Sequence, residues 1–270
     1  MLPSDSPPDH RADFPRVRQM TTSESSKNWF TQGGQAYARF RPEYPPELAA
    51  FLASIPPNTH LAVDIGCGNG QLTRQLAEHF TSVTGLDPSA EQIAHAALRE
   101  NLTYCCAPAE SLPLPDHCAS LVTAAQAAHW FDLPAFYAEV RRIAVPEAVV
   151  ALISYGALHL EGELGARFDR FYAQEIGSYW PEERKLVDSG YATLDFPFAP
   201  VELPALQIRL DWNLEQFLGY LSTWSAVRRA REAGKEDVLQ RFASDIAQLW
   251  GAAEAKWEIC WPINGRVGRV

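Results

Sequence analysis

Hydrophobic and polar positions along the chain switch repeatedly between a strand-like and a helix-like period. Leu61-Ala62-Val63-Asp64-Ile65 is a short apolar run closed by glycines, which predicts a buried parallel strand. Leu72 to Phe80 predicts a helix, with Leu72, Leu76 and Phe80 on one face. Ser82-Val83-Thr84-Gly85-Leu86 predicts a second strand, closed by Asp87-Pro88, and Ser89 then suits the N-cap of a helix through Leu98. Leu102 to Cys106, Ser120 to Ala124 and Val149 to Ser154 read as further strands, and Phe136 to Ile143 as a helix. Pro45-Pro46 opens an earlier helix running to about Ile55, because proline is tolerated in a first helical turn. This alternation predicts a doubly wound α/β fold with a mostly parallel sheet and right-handed crossovers.

Beyond Tyr155 the pattern changes. Residues 160–190 predict aromatic-rich helices, Ala205 to Trp212 a strand, and 213–252 more helix. Lys256 to Ile263 predicts a last strand, ending at an Asn264-Gly265 turn. The expectation is one sheet whose later connections carry helical insertions, forming a cap over the carboxyl ends of the strands, where such sheets bind ligands. Residues 1–27 are polar, Pro-rich and aperiodic, and read as a disordered leader. Residues 28–270 then form a single domain, with a core over 28–155 and a cap with the last strands over 156–270.

Composition narrows the function classes. The chain has 270 residues, 47% of them hydrophobic, enough for one large core. A formal net charge of −10 argues against nucleic acid as a partner. Arg228, Arg229, Arg231 and Lys235 interleave with Glu232 and Glu236 and read as a solvated helix face. The five cysteines contain no C-x-x-C pair, so neither a disulfide framework nor a metal site is expected, and a reducing, cytoplasmic setting is. Cys105 and Cys106 read as small core residues. No run of about 18 apolar residues exists, so no membrane partner is expected. Monomer and homodimer both stay open.

The chemistry concentrates at Gly66-Cys67-Gly68-Asn69-Gly70, between a strand and a helix. Glycines there permit positive φ and let a ligand approach the backbone. A dinucleotide fingerprint would place its third glycine where Gln71 stands. Asp64, just before the glycines, would repel a pyrophosphate and attract a cation. Asp87 ends the next strand, where a carboxylate can accept both ribose hydroxyls. A nicotinamide-dependent oxidoreductase shares the sheet and the loop, so it remains an alternative.

Val63 to Gly70 resembles the first motif of class I S-adenosylmethionine-dependent methyltransferases, and Thr84 to Ser89 their ribose-binding motif. Ala109-Glu110-Ser111-Leu112-Pro113 resembles the adenine-contacting segment, and Gln126 to Phe131 the segment that lines the methyl site. Tyr37-Ala38-Arg39-Phe40-Arg41-Pro42-Glu43-Tyr44-Pro45, Tyr179 to Arg184 and Thr223-Trp224-Ser225 are similar to a small-molecule branch typified by trans-aconitate methyltransferase. The resemblance implies a seven-stranded sheet, S-adenosyl-L-methionine as cofactor and S-adenosyl-L-homocysteine as product. It implies cofactor contacts from Asp64, Gly66, Cys67, Gly68, Gly70 and Gln71, from Asp87 and Pro88, from Ala109 and Glu110, and from Gln126 and Ala127. It also places Tyr37 and Arg41 over the methionine end, though Arg41 could equally lie on the surface of a proline-stiffened helix start. The family's Lys-Pro-Gly-Gly turn is replaced by Ala144-Val145-Pro146-Glu147-Ala148, which leaves a catalytically inert binding module as a second alternative.

The acceptor is expected to be a small molecule methylated on a carboxylate or hydroxyl. A carboxylate needs no base and could be held by Arg41 or Arg184. A hydroxyl needs one, and His129 and Tyr155 are the candidates. His129 could instead hold a neighbouring loop through a hydrogen bond. Trp130, Phe131, Tyr155, Trp180, Tyr220 and Trp224 could line a substrate pocket or belong to the core.

Overall fold

A computed structural model describes residues 41–270. The proposed leader and Tyr37 to Phe40 lie outside the described residues. The first half alternates as the periodicity predicts: α1 (Pro46–Ser54), β1 (Leu61–Ile65), α2 (Gln71–Leu76), β2 (Ser82–Asp87), α3 (Ala90–Ala94), β3 (Leu102–Cys106), β4 (Ala119–Ala125), α4 (Leu133–Ile143) and β5 (Ala144–Tyr155). The cap helices α5 (Gly162–Arg170) and α6 (Arg184–Asp188) precede β6 (Ala199–Val201) and β7 (Leu206–Trp212). Helices α7 (Leu214–Ser222), α8 (Ser225–Glu232) and α9 (Glu236–Trp250) precede β8 (Trp257–Arg269).

The strands order as β3-β2-β1-β4-β5-β8-β6, with β7 paired to β8. Strands β1 to β5 run parallel, and β8 runs antiparallel to β5, β6 and β7. Successive residues of the central strands point to opposite faces. Ala62, Leu121, Ala151 and Ile153 enter one apolar cluster; Val63, Val122, Val150 and Leu152 enter the other. Burial on both faces explains why these strands read as continuous apolar runs.

Several expectations need correction. Residues 264 and 265 make no turn: Asn264 pairs with Ser154 and Gly265 with Ile153 inside β8. A Cβ on Gly265 would strike the Leu152 carbonyl, so this glycine serves close strand approach. Among the described residues the sheet has eight strands rather than seven, because β6 also pairs with β8. It is three residues long and contains Pro200, too short to show a period. Residues 144–148 are no turn either. They begin β5 and hold an irregularity, with a register shift against β4 and Glu147 at φ 62°. Helix α3 stops at Ala94 because the next residues have no face to bury; Leu98 is 87% exposed. Cys106 is exposed and Cys105 only partly buried, because β3 is the edge strand.

The cap packs through aromatic contacts and one cation. Phe171 stacks on Phe242 at 3.8 Å between centroids. Arg167 donates to Asp245 at 2.8 Å and Glu175 at 3.1 Å, tying α5 to α9. In the basic cluster Arg231 pairs with Glu236 at 3.1 Å, but Arg229 reaches inward to the Tyr179 carbonyl at 3.4 Å. No helix among the described residues is long and apolar enough to cross a membrane.

Candidate active site

The carboxyl ends of β1 and β2 set the glycine loop. Gly66 and Cys67 donate their N–H groups to the Leu86 carbonyl at 2.7 and 3.0 Å, pinning the loop to the end of β2. Gly66, Gly68 and Gly70 all take positive φ, at 68°, 56° and 81°. They do so for different reasons. A Cβ on Gly66 would overlap the Ala127 Cβ, and one on Gly70 would overlap the Tyr104 hydroxyl. A Cβ on Gly68 would meet nothing nearer than Gln92 Oε1 at 3.9 Å. The outer two glycines therefore pack tightly against protein, and among the described residues the middle one has room for an added Cβ, in ordinary contact with Gln92 alone.

Asp87 stands beside that opening. Its Oδ2 accepts the Gly68 N–H at 2.9 Å and its Oδ1 accepts the Ser89 N–H at 2.8 Å. Ser89 caps α3 as expected, accepting the Gln92 N–H at 3.3 Å. Each Asp87 oxygen keeps a lone pair for another donor. Burial raises its pKa, and the two backbone donors work against that rise.

Asp64 sits deeper than its sequence position suggests. It is 1% exposed, and it accepts Thr73 Oγ1 at 2.7 Å and Thr123 Oγ1 at 2.8 Å. Both threonines escaped the sequence reading; the signal for Thr123 was a polar residue inside the apolar strand β4. Burial pushes the Asp64 pKa up to about 6 despite the two threonine donors, and the Asp87 charge adds to the rise. Asp64 thus braces the loop from below, and its charge acts at a distance. The nearby Cys67 thiol and Tyr104 phenol stay protonated, because burial raises both pKa values, that of Tyr104 to about 12.

A pH dependence follows. Below about pH 6 Asp64 takes up a proton in the folded state, so its pull on a cationic ligand fades. Affinity for a cationic ligand, such as the S-adenosylmethionine that the sequence resemblance implies, is expected to fall by up to about ten-fold per pH unit below that point. Calorimetry from neutral to mildly acid pH checks this, and a flat affinity would remove Asp64 from cofactor binding. The same raised pKa means that protonation favours the folded apo state, so Asp64 adds stability as pH falls from about 6 toward its ordinary 3.8.

Other predicted positions cluster around the loop. Ala127 is buried against Gly66, and Phe131 approaches a Gly66 Cβ position within 3.3 Å. Gln126 takes φ 55° and donates from Nε2 to the Tyr155 carbonyl at 2.8 Å, clamping the ends of β4 and β5 together. Ala109 is buried, whereas Pro88 is exposed and Gln71 half-buried at the start of α2. Glu110 Oε1 accepts the Asp132 N–H at 2.9 Å, which fixes its loop to the start of α4. Arg41 lies in the cap, its guanidinium 5.5 Å from the Tyr220 ring centroid.

His129 lies in a short turn of helix after β4 and bonds Tyr191 Oη through Nδ1 at 2.9 Å. Burial, helped by the Arg184 charge, lowers its pKa to about 3. So weak a base is poorly matched to proton abstraction near neutrality, and the hydrogen-bonding role is the one the geometry favours. Tyr155 is 3% exposed and packs edge-on to Tyr44, which gives it the setting of a core residue. Trp180 and Trp224 meet at 5.3 Å between centroids, and Trp224 also packs on Tyr220 at 5.4 Å. Trp130 packs on His129 at 4.8 Å. His129→Gln is expected to keep kcat within about ten-fold of wild type; a loss of about a hundred-fold or more in a radiolabelled-donor assay would restore it as a base.

The family model for a methyltransferase domain matches residues 63–152, from β1 into β5. A Dictyostelium discoideum protein named "putative methyltransferase" is 35% identical over 220 residues, covering 80% of this chain and 84% of its own length. The solved structure of a "putative type II methyltransferase" from Anaeromyxobacter dehalogenans is 43% identical. It covers 85% of this chain and 98% of its own, with a TM-score of 0.81. A malonyl-[acyl-carrier protein] O-methyltransferase of Pectobacterium atrosepticum is 34% identical over 125 residues, 45% of this chain and 49% of its own length.

Proposed function

The chain belongs to the class I S-adenosylmethionine-dependent methyltransferases, and from that premise we propose that it methylates an oxygen of a small molecule, a carboxylate or a hydroxyl. The observation that carries the reading is the opening at Gly68 beside Asp87. A loop glycine whose Cβ position meets, among the described residues, only Gln92 Oε1 at 3.9 Å, next to a carboxylate with spare lone pairs, fits the ribose of a nucleoside ligand. Asp64 beneath it adds negative potential and suits a ligand that carries cations and no phosphate.

When bound, S-adenosylmethionine supplies a methyl group activated by its sulfonium. The protein's task is then to bring an acceptor oxygen in line and exclude water. Gly66, Gly68 and Gly70 shape the cradle, Asp87 holds the ribose, and Ala109 and Glu110 form the adenine side. Gln126 and Ala127 keep the wall after β4 in place, and the cap closes the site from above. The malonyl-[acyl-carrier protein] O-methyltransferase relative, similar over part of the chain, supports an oxygen acceptor. All five cysteines are free, which suits a reducing compartment.

Calorimetry against S-adenosylhomocysteine and NADH tests the cofactor, followed by a radiolabelled-donor screen of small acids and phenols. Binding of NADH alone would overturn the reading in favour of an oxidoreductase. Tight S-adenosylhomocysteine binding with no product on any acceptor would favour an inert module.

A further inference from the structure

Strand β7 leaves one edge of the sheet bare. It pairs with β8 along its whole length, in unbroken register from Leu206 on Ile263 to Trp212 on Trp257. Among the described residues it has no second neighbour, and no backbone hydrogen bond outside that ladder involves 206–212. Every second residue therefore aims its N–H and C=O away from β8. Exposed edges are usually blunted by a proline, a bulge or a very short strand. β6 is blunted in this way, with three residues and Pro200. β7 has seven residues, no proline, no glycine and no bulge.

The side chains of β7 show what the edge fits. Ile208 and Trp212 point into the core, whereas Gln207, Arg209 and Asp211 are exposed on the outer face. On that face Asp211 stands directly opposite Glu258, two like charges in one cross-strand pair. Arg209 answers only one of them: its Nη1 donates to Glu258 Oε1 at 3.0 Å. Among the described residues Asp211 has no ion pair, so the outer face sets two acids against one cation.

We infer that β7 pairs antiparallel with β7 of a second copy of this chain, joining two sheets into one around a two-fold axis at Leu210. The charges select this register. A two-fold axis normal to the sheet keeps each face on its own side, so a residue meets only those an even number of positions away. Centring on Arg209 sets that cation against its own copy, and centring on Asp211 does the same for the acid. Centring on Leu210 sets Arg209 opposite Asp211 of the second copy, on both sides of the axis, and gives the uncompensated acid its cation. Leu210 then meets Leu210, and Ile208 meets Trp212. A ladder over 208–212 is short, which puts the dimer in the weak class, with a Kd of roughly 10–100 µM. The pairing is independent of the methyltransferase reading.

The test is sedimentation of the full chain from about 1 to 500 µM, alone and with two charge reversals. The wild-type chain is expected to form a concentration-dependent dimer that weakens several-fold between about 0.05 and 0.5 M salt. Arg209→Asp sets acid against acid across the axis, and Asp211→Arg sets cation against cation. Each is expected to weaken self-association by at least about ten-fold. An equimolar mixture of the two variants restores opposite charges at both positions, so a heterodimer within about three-fold of the wild-type affinity is expected. Thermal melts establish that both variants fold, and the salt series on the wild-type chain needs neither. A wild-type chain that stays monomeric, as it would if residues 1–40 occupied the edge, would overturn the proposal. So would a dimer indifferent to salt, a dimer that either reversal leaves intact, or a mixture of folded variants that stays monomeric.

Discussion

Asp87→Ala is expected to weaken S-adenosylhomocysteine binding by at least about a hundred-fold, since two hydrogen bonds to a charged acceptor are each worth roughly 1.5–3 kcal/mol. The loss has two sources. The carboxylate would no longer meet the ribose hydroxyls. It would also release the Gly68 and Ser89 N–H groups, which it holds at 2.9 and 2.8 Å, so the loop would lose the contact that shapes it. Asp87→Asn keeps one acceptor oxygen and should fall between the two. Calorimetry checks both variants, and an Asp87→Ala affinity within about ten-fold of wild type would mean that the ribose lies elsewhere.

Gly66→Ala is expected to lower stability by about 2–4 kcal/mol, combining left-handed backbone strain with overpacking. The added Cβ would overlap that of Ala127, and φ is 68°. For a chain of this length that corresponds to a fall in Tm of roughly 5–15 °C. Gly68→Ala separates packing from ligand binding. Its Cβ meets only Gln92 Oε1, at 3.9 Å, so stability should fall by about 1 kcal/mol from strain alone. Cofactor affinity should still collapse, because the methyl fills the space left for the ligand. Thermal melts with and without S-adenosylhomocysteine distinguish the two. Equal melting losses in both variants would sink the assignment of Gly68 as the ligand-facing glycine.

Some of this protein is legible one residue at a time. The bounds of β1 and β3 read from the apolar runs are those observed. The Ser89 cap formed where the residue type allows it. Such features depend on neighbours a few residues away, and so does the positive φ of the loop glycines. The errors share the opposite cause. Asn264-Gly265 carries a strong turn signature, yet it lies inside β8, because pairing with β5 on one side overrides the local preference. Cys105 and Cys106 look like core, but their exposure depends on β3 having no neighbour on its outer side. His129 is a different case: its residue type leaves a base and a loop-holding hydrogen bond both open, and burial with a neighbouring cation lowers its pKa to about 3.

By itself the sequence determined the parallel core, the strand–loop–helix order and the nucleotide-like cradle, because period and backbone freedom act over short spans. What only the tertiary structure decided is how the charges are held. Asp64 is braced by Thr73, nine residues on, and by Thr123, fifty-nine residues on, so its depth and raised pKa required the finished sheet. The three loop glycines look alike in the chain, and packing alone separates Gly66 and Gly70 from Gly68. The contacts of the Arg184 guanidinium likewise needed Tyr172, Trp180 and Asp188 folded around it. Burial and partnership across distant segments set electrostatics, and no local pattern in a chain records them.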